Sequence, residues 1–146
     1  MLINLLFGLS TMLFCLLLQS VLLVLVIRYY TRHEYMLNNP SLWSSLVVIK
    51  VVMLLLVIGN LVQVAIWALL FILLGEFQQF NEAFYHSMVN FATLGYGDFV
   101  MSTEHKLLGP LEAINGVLMI GATTAALMAA LQDIIKKRIM ARERNL

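Results

Sequence analysis

Charge-free runs dominate the pattern of this chain. Leu2 to Ile27 holds 26 consecutive residues without a charge, Val51 to Gly75 holds 25 and Ala113 to Gln132 holds 20. A hydrocarbon core about 30 Å thick is crossed by about 20 helical residues, so each run is long enough to span it. A secretory signal peptide is the rival reading of the first run, but it would want a basic start, a shorter apolar core and a small-residue cleavage site. The start Met1-Leu2-Ile3-Asn4 carries no basic residue and the run is too long, so a retained helix is expected. The chain changes character between Gly75 and Pro110. Glu82 to Ala92 amounts to about three helical turns, too short to span. Asn81 is a candidate N-cap for this helix, and the Glu82 carboxylate suits the positive end of its dipole. The stretch is predicted to dip into the membrane and return as an extended segment, Thr93 to Asp98. Earlier, Asn38-Asn39-Pro40 is a turn signal, Ser41 a candidate N-cap for the second spanning helix, and Trp43 an ordinary interfacial anchor.

Composition agrees with the pattern. At 146 residues, 62% hydrophobic and 12% charged, with mean hydropathy +0.92, the chain lies far from the balance of soluble proteins. The fold class expected is an all-α membrane protein: three transmembrane helices, a short re-entrant helix and an extended segment. Of the nine Lys and Arg residues, Arg28, Arg32 and Lys50 flank the first loop, and Lys136, Lys137, Arg138, Arg142 and Arg144 follow the third run. The positive-inside rule then puts the N-terminus outside, the first loop and C-terminus in the cytoplasm, and only Lys106 of the nine outside. Glu76, Glu82, Asp98, Glu104 and Glu112 gather on the outer side, where their field would concentrate cations. For Glu76 and Glu104 the plainer role, keeping an outer loop solvated, is preferred. The net charge of +1 is uninformative because the two faces cancel. The location expected is the cell inner (plasma) membrane, crossed several times.

Polar and small residues inside the runs add detail. Asn60 and Gln63 share a helical face that should pack against a neighbouring helix. Gly121 with Ala125, and Ala122 with Ala126, have the spacing that permits close helix approach, or that borders a wide cavity. The single cysteine, Cys15, excludes an intrachain disulfide and reads as a small apolar filler. His33, His86 and His105 fall on both membrane faces, and no nucleophile or metal-ligand constellation occurs, so an enzyme is not expected. No span carries basic residues at three-residue spacing, so steep voltage sensing is disfavoured.

The most informative residues are Thr93-Leu94-Gly95-Tyr96-Gly97-Asp98. Irregular backbone at membrane depth survives only where protein buries it or where it lines a water-filled path. Rings of carbonyls select among cations by replacing the hydration shell. Carbonyls of consecutive residues face one way only if some residues adopt φ > 0, which Gly95 and Gly97 tolerate. The hexapeptide is similar to the Thr-Val-Gly-Tyr-Gly-Asp signature of the potassium channel superfamily. The likeness runs from about Val51 to Gln132 and looks most like small prokaryotic channels with one pore loop per subunit. It implies a pore module over 48–135, with outer helix 48–75, pore helix 81–92, selectivity filter 93–98 and inner helix 110–135. Residues 1–47 are then an added N-terminal helix and cytoplasmic loop, and 136–146 a basic cytoplasmic tail.

The resemblance further implies that backbone carbonyls of Thr93, Leu94, Gly95, Tyr96 and Gly97, with the Thr93 hydroxyl, hold K⁺ as the permeant ion. Because the chain has one copy of the motif, four chains must surround one axis. The partners expected are thus the other subunits of a homotetramer and the lipid bilayer, with no nucleic acid and no small-molecule substrate. Gly121 is the candidate gating hinge, and Gly116 competes for that role. Leu94 departs from the usual Val or Ile, Ala92 from a frequent second Thr, and Tyr85-His86 from the usual Trp-Trp. Tyr85 and His86 are expected to brace the filter by hydrogen bonds to Asp98 and to Tyr96 of a neighbouring strand. A packed neutral His86 is preferred to a physiological pH sensor. Two alternatives stay open: a weakly selective cation channel, and a non-conducting regulatory membrane subunit.

Overall fold

The computed structural model of the chain describes residues 2–33 and 42–143. The turn signal Asn38-Asn39-Pro40, the proposed cap Ser41 and the basic residue Arg144 lie outside the described residues. The described residues form four α-helices and no strand: α1 (Leu2–Arg32), α2 (Leu42–Leu73), α3 (Phe80–Phe91) and α4 (Leu108–Glu143). Leu2–Arg32, Ser45–Leu73 and Leu108–Lys137 are long and apolar enough to cross a membrane.

Helix boundaries depart from the expected ones for local reasons. The helix α4 starts at Leu108, so Pro110 is its third residue, where an absent N–H breaks no helical bond. It also runs on through Glu143, well past the expected end at 135, and so takes in part of the basic tail. Asp133 and Lys137 support this extension as an i,i+4 pair, 2.7 Å apart. In α2 the helix begins at Leu42, before the expected 48, with Trp43 exposed. Its C-terminus closes through Glu76 N–H to Phe71 O (3.0 Å) and Gly75 N–H to Ile72 O (2.9 Å). This is a Schellman cap, and the left-handed residue it requires is Gly75, at φ 77°.

Contacts divide the chain into two units. One unit joins Met1–Gln19 with Asn60–Ile120. Its core holds Cys15, Trp67, Ala68, Phe71, Phe77, Ala83, Met101 and Leu108, and a second cluster holds Val64, Phe91 and Met119. Lipid is as apolar as these side chains, so packing and buried hydrogen bonds hold the helices together. Gln63 Nε2 donates to Gln19 Oε1 at 2.8 Å, which is the inward use expected of the Asn60/Gln63 face. Asn4 Nδ2 donates to the Glu104 carbonyl, tying the start of α1 to the loop before α4.

The other unit joins Ser20–Gly59 with Gly121–Leu146. Val26, Val52 and Leu56 form its core with Leu22 and Leu127, and Val48 packs with Ile134 beside Tyr29 and Tyr30. A Cβ on Gly59 would lie 2.1 Å from Leu22 Cδ2, so the Leu22 side chain of α1 packs directly on α2 here. Tyr30 Oη donates to Asp133 Oδ2 at 2.7 Å.

Candidate functional site

The segment Thr93 to Asp98 follows directly from the end of α3. Leu94 N–H donates to Val89 O and Thr93 N–H to Asn90 O, both at 2.8 Å, which is the Schellman pattern again. Here the left-handed position is filled by Thr93, at φ 58°, the only described non-glycine residue with positive φ. Gly95 (φ 58°) and Gly97 (φ 77°) follow, so every second residue is left-handed while Leu94 and Tyr96 are not. No strand pairs this segment among the described residues. The segment is therefore an irregular run of alternating hand, not the extended strand expected. It is exposed throughout, with Leu94 at 53% and Tyr96 at 66%. Thr93, Gly95 and Gly97 line a cavity of about 370 Å³ together with Asn90, Lys106 and Pro110.

At the other end of α3, the expected cap is corrected. Gln79 occupies the N-cap position with extended geometry and makes no side-chain cap bond; Asn81 lies inside the first turn. The Gln79 carbonyl already accepts from Ala83 N–H at 3.2 Å, so the helix is under way before Asn81. Glu82 does sit in the first turn, where the dipole favours it.

Around the segment stands an aromatic chain that spans three elements. His86 is buried, with its ring 5.0 Å from Phe77 and 5.6 Å from Phe71. Phe99, next to Asp98, packs on Phe77 at 6.3 Å and on Tyr85 at 5.8 Å. Hydrogen bonding to Asp98 pushes the exposed Tyr85 phenol up. Burial pushes the His86 imidazole down, against the opposing pull of a hydrogen bond to the Phe99 backbone. Its Nε2 is 2.9 Å from Asn90 Nδ2. Within one chain, then, His86 is engaged by Asn90 and Phe99, with no bond to Asp98 or Tyr96. Phe77 and Phe99 were invisible to sequence reasoning, since aromatic residues between helices carry no periodicity.

Two carboxylates differ from their expected roles. Glu76, read as solvated, accepts from Ser102 N–H (2.7 Å) and Ser102 Oγ (2.5 Å) and lies 2.6 Å from His105 Nδ1. Burial pushes Glu76 up, but the hydrogen bonds from Ser102 and His105 outweigh it and hold the carboxyl below its ordinary range. This cluster fastens the loop that follows Asp98 to the end of α2. Glu112, counted with the outer charges, is wholly buried and hydrogen-bonded to Ser87, so it adds nothing to a surface field.

Of the two hinge candidates, Gly116 is a contact glycine: a Cβ there would lie 2.0 Å from Phe91 O, a backbone atom. A Cβ on Gly121 would meet nothing within 4 Å. Both lie within the unbroken helix α4.

Residues 59–133, just over half of the chain, match the model of a family described as "Ion channel". No curated protein and no solved structure matches the chain. The match takes in the C-terminal part of α2, all of α3, the irregular segment and most of α4. With its three apolar helices, this multi-pass membrane protein belongs to the ion channel family.

Proposed function

We propose that the chain is a subunit of a homotetrameric, potassium-selective channel that conducts passively, with Thr93 to Asp98 as its filter. The observation that carries this reading is the alternating hand of Thr93, Gly95 and Gly97, at φ 58°, 58° and 77°. Such a backbone offers the carbonyls of Thr93, Leu94, Gly95, Tyr96 and Gly97 to one side, as a dehydrated cation requires. The Thr93 hydroxyl adds a further oxygen at the inner end. Eight of the nine Lys and Arg residues fall on the cytoplasmic side if the N-terminus is outside, which puts Asp98 at the outer mouth. Tyr85, His86 and Asp98 support the filter in this reading, and Gly121, where a Cβ would meet nothing within 4 Å, is preferred to Gly116 as the hinge of α4.

Purified protein reconstituted in liposomes tests the proposal. Potassium flux is expected, with a bi-ionic K⁺/Na⁺ reversal potential far from zero. A reversal potential near zero would leave a weakly selective cation channel, and no flux would leave a non-conducting subunit. Gly95→Ala is the control: a Cβ at φ 58° costs about 1–2 kcal/mol per subunit, and conduction is expected to be lost.

A further inference from the structure

Glu112 is the fifth residue of α4, with its side chain fully buried and facing Cys15 of α1 and Ser87 of α3. Its Oε1 is hydrogen-bonded to Ser87 Oγ, and the same Ser87 Oγ lies 2.8 Å from the Val64 carbonyl oxygen. A serine hydroxyl has one proton, and a carbonyl has none. If that proton goes to Val64, the contact between Ser87 and Glu112 needs a proton that only Glu112 can supply. If it goes to Glu112, two oxygen lone pairs face each other at 2.8 Å with nothing between them.

The surroundings point the same way. Glu112 Oε2 is buried without a hydrogen-bond partner; the Asn90 amide lies near the carboxyl, but its hydrogen-bond contact is with His86 Nε2, at 2.9 Å. The ion pairs among the described residues, His105 with Glu76 and Lys137 with Asp133, do not involve Glu112. The other titratable side chain facing it is the Cys15 thiol of α1. A carboxylate spreads its charge over both oxygens and is strongly disfavoured where neither a cation nor a second donor meets it.

We propose that Glu112 is a neutral carboxylic acid that donates its proton to Ser87, and that this bond is a positioning link from α4 to α3. Ser87 precedes Thr93 by six residues on a rigid helix, so the link sets where the filter begins. The protonation state stands on hydrogen-bond geometry alone; the positioning role rests on the filter reading above.

Wild-type protein and Glu112→Gln in liposomes at neutral pH give the first test. Their infrared difference spectrum is expected to lack the carbonyl stretch of one protonated carboxylic acid in the variant. Loss of a carboxylate band instead would overturn the proposal. Flux gives the second test. Gln keeps a neutral donor, so Glu112→Gln is expected to hold the wild-type K⁺/Na⁺ permeability ratio. Ser87→Ala and Glu112→Met, which lose the link without opening a large cavity, are expected to lower it by about three- to tenfold, the scale of one lost hydrogen bond. Glu112→Gln as damaged as Glu112→Met, or Glu112→Met unaffected, would overturn the positioning role. A wild-type protein without K⁺ preference would remove the filter reading and leave the infrared result standing.

Discussion

Thr93 carries a backbone strain that a single substitution would relieve. Two helices in this chain end in the same Schellman cap, and α2 fills its left-handed position with Gly75 while α3 uses Thr93. A β-branched residue at φ 58° is a steric outlier, costing about 1–2 kcal/mol where glycine costs little. Backbone strain of this kind points to function when the local geometry has an easy alternative that the chain does not use. Glycine can supply neither the methyl nor the hydroxyl of Thr93, and of the two only the hydroxyl can meet a cation. Thr93→Gly is therefore expected to raise thermal stability by up to about 1 kcal/mol per chain, the relief of strain less the entropy cost of glycine. The same variant is expected to lose K⁺ selectivity, while Thr93→Ser keeps most of it. A less stable Thr93→Gly protein would show that the strain is absent, and unchanged selectivity would show that the hydroxyl is idle.

Among the elements, α1 is the addition that a two-helix pore does not call for, and its packing gives it a role. Cys15 sits in the core with Trp67 and Phe71, Gln19 pairs with Gln63 at 2.8 Å, and a Cβ on Gly8 would lie 2.5 Å from Leu111 Cδ1. Side-chain hydrogen bonds between membrane helices average about 0.6 kcal/mol and reach about 1.7. A double-mutant cycle on Gln19→Leu and Gln63→Leu, read by thermal unfolding, is expected to give a coupling in that range; zero coupling would mean that α1 docks without the pair. These contacts also mark the limit of what the sequence reveals. A run of twenty apolar residues, or a hexapeptide such as Thr93 to Asp98, is contiguous and can be read directly. Pairings such as Gln19 with Gln63, 44 positions apart, Glu112 with Ser87, 25 apart, and Glu76 with His105, 29 apart, exist only after folding. Glu112 looked like a surface charge because a carboxyl in a sequence carries no mark of its burial. Asn81 looked like a cap because any Asn near a helix start does, and the first carbonyl to accept decides the true position.

The whole molecule cannot be one chain if the proposed filter lies at membrane depth. Every residue from Ala92 to Val100 is exposed, and the alternating backbone leaves polar groups that lipid cannot satisfy. Each unsatisfied backbone group in hydrocarbon costs several kcal/mol, so other copies must enclose the segment and share the ion path. Closed rings of identical subunits satisfy this requirement, and one motif per chain sets the count by the number of carbonyls needed around a cation. Subunit mixing reads that count directly. The Cβ of Gly95→Ala strains the backbone at φ 58° but meets nothing within 4 Å in its own chain, so the disturbance stays local and the variant is expected to assemble with wild type. If four subunits form each pore and one defective copy stops conduction, equal co-expression leaves about one-sixteenth of channels intact. Current close to one-quarter of wild type would instead indicate a dimer, and one-half would indicate conduction by independent chains. Light scattering of the detergent-purified protein provides the matching mass, expected at four times the 16.5 kDa chain once detergent is subtracted. A mass of two chains would overturn the fourfold pore even if the flux were K⁺-selective, because two copies of one such segment cannot close a ring of carbonyls around an ion.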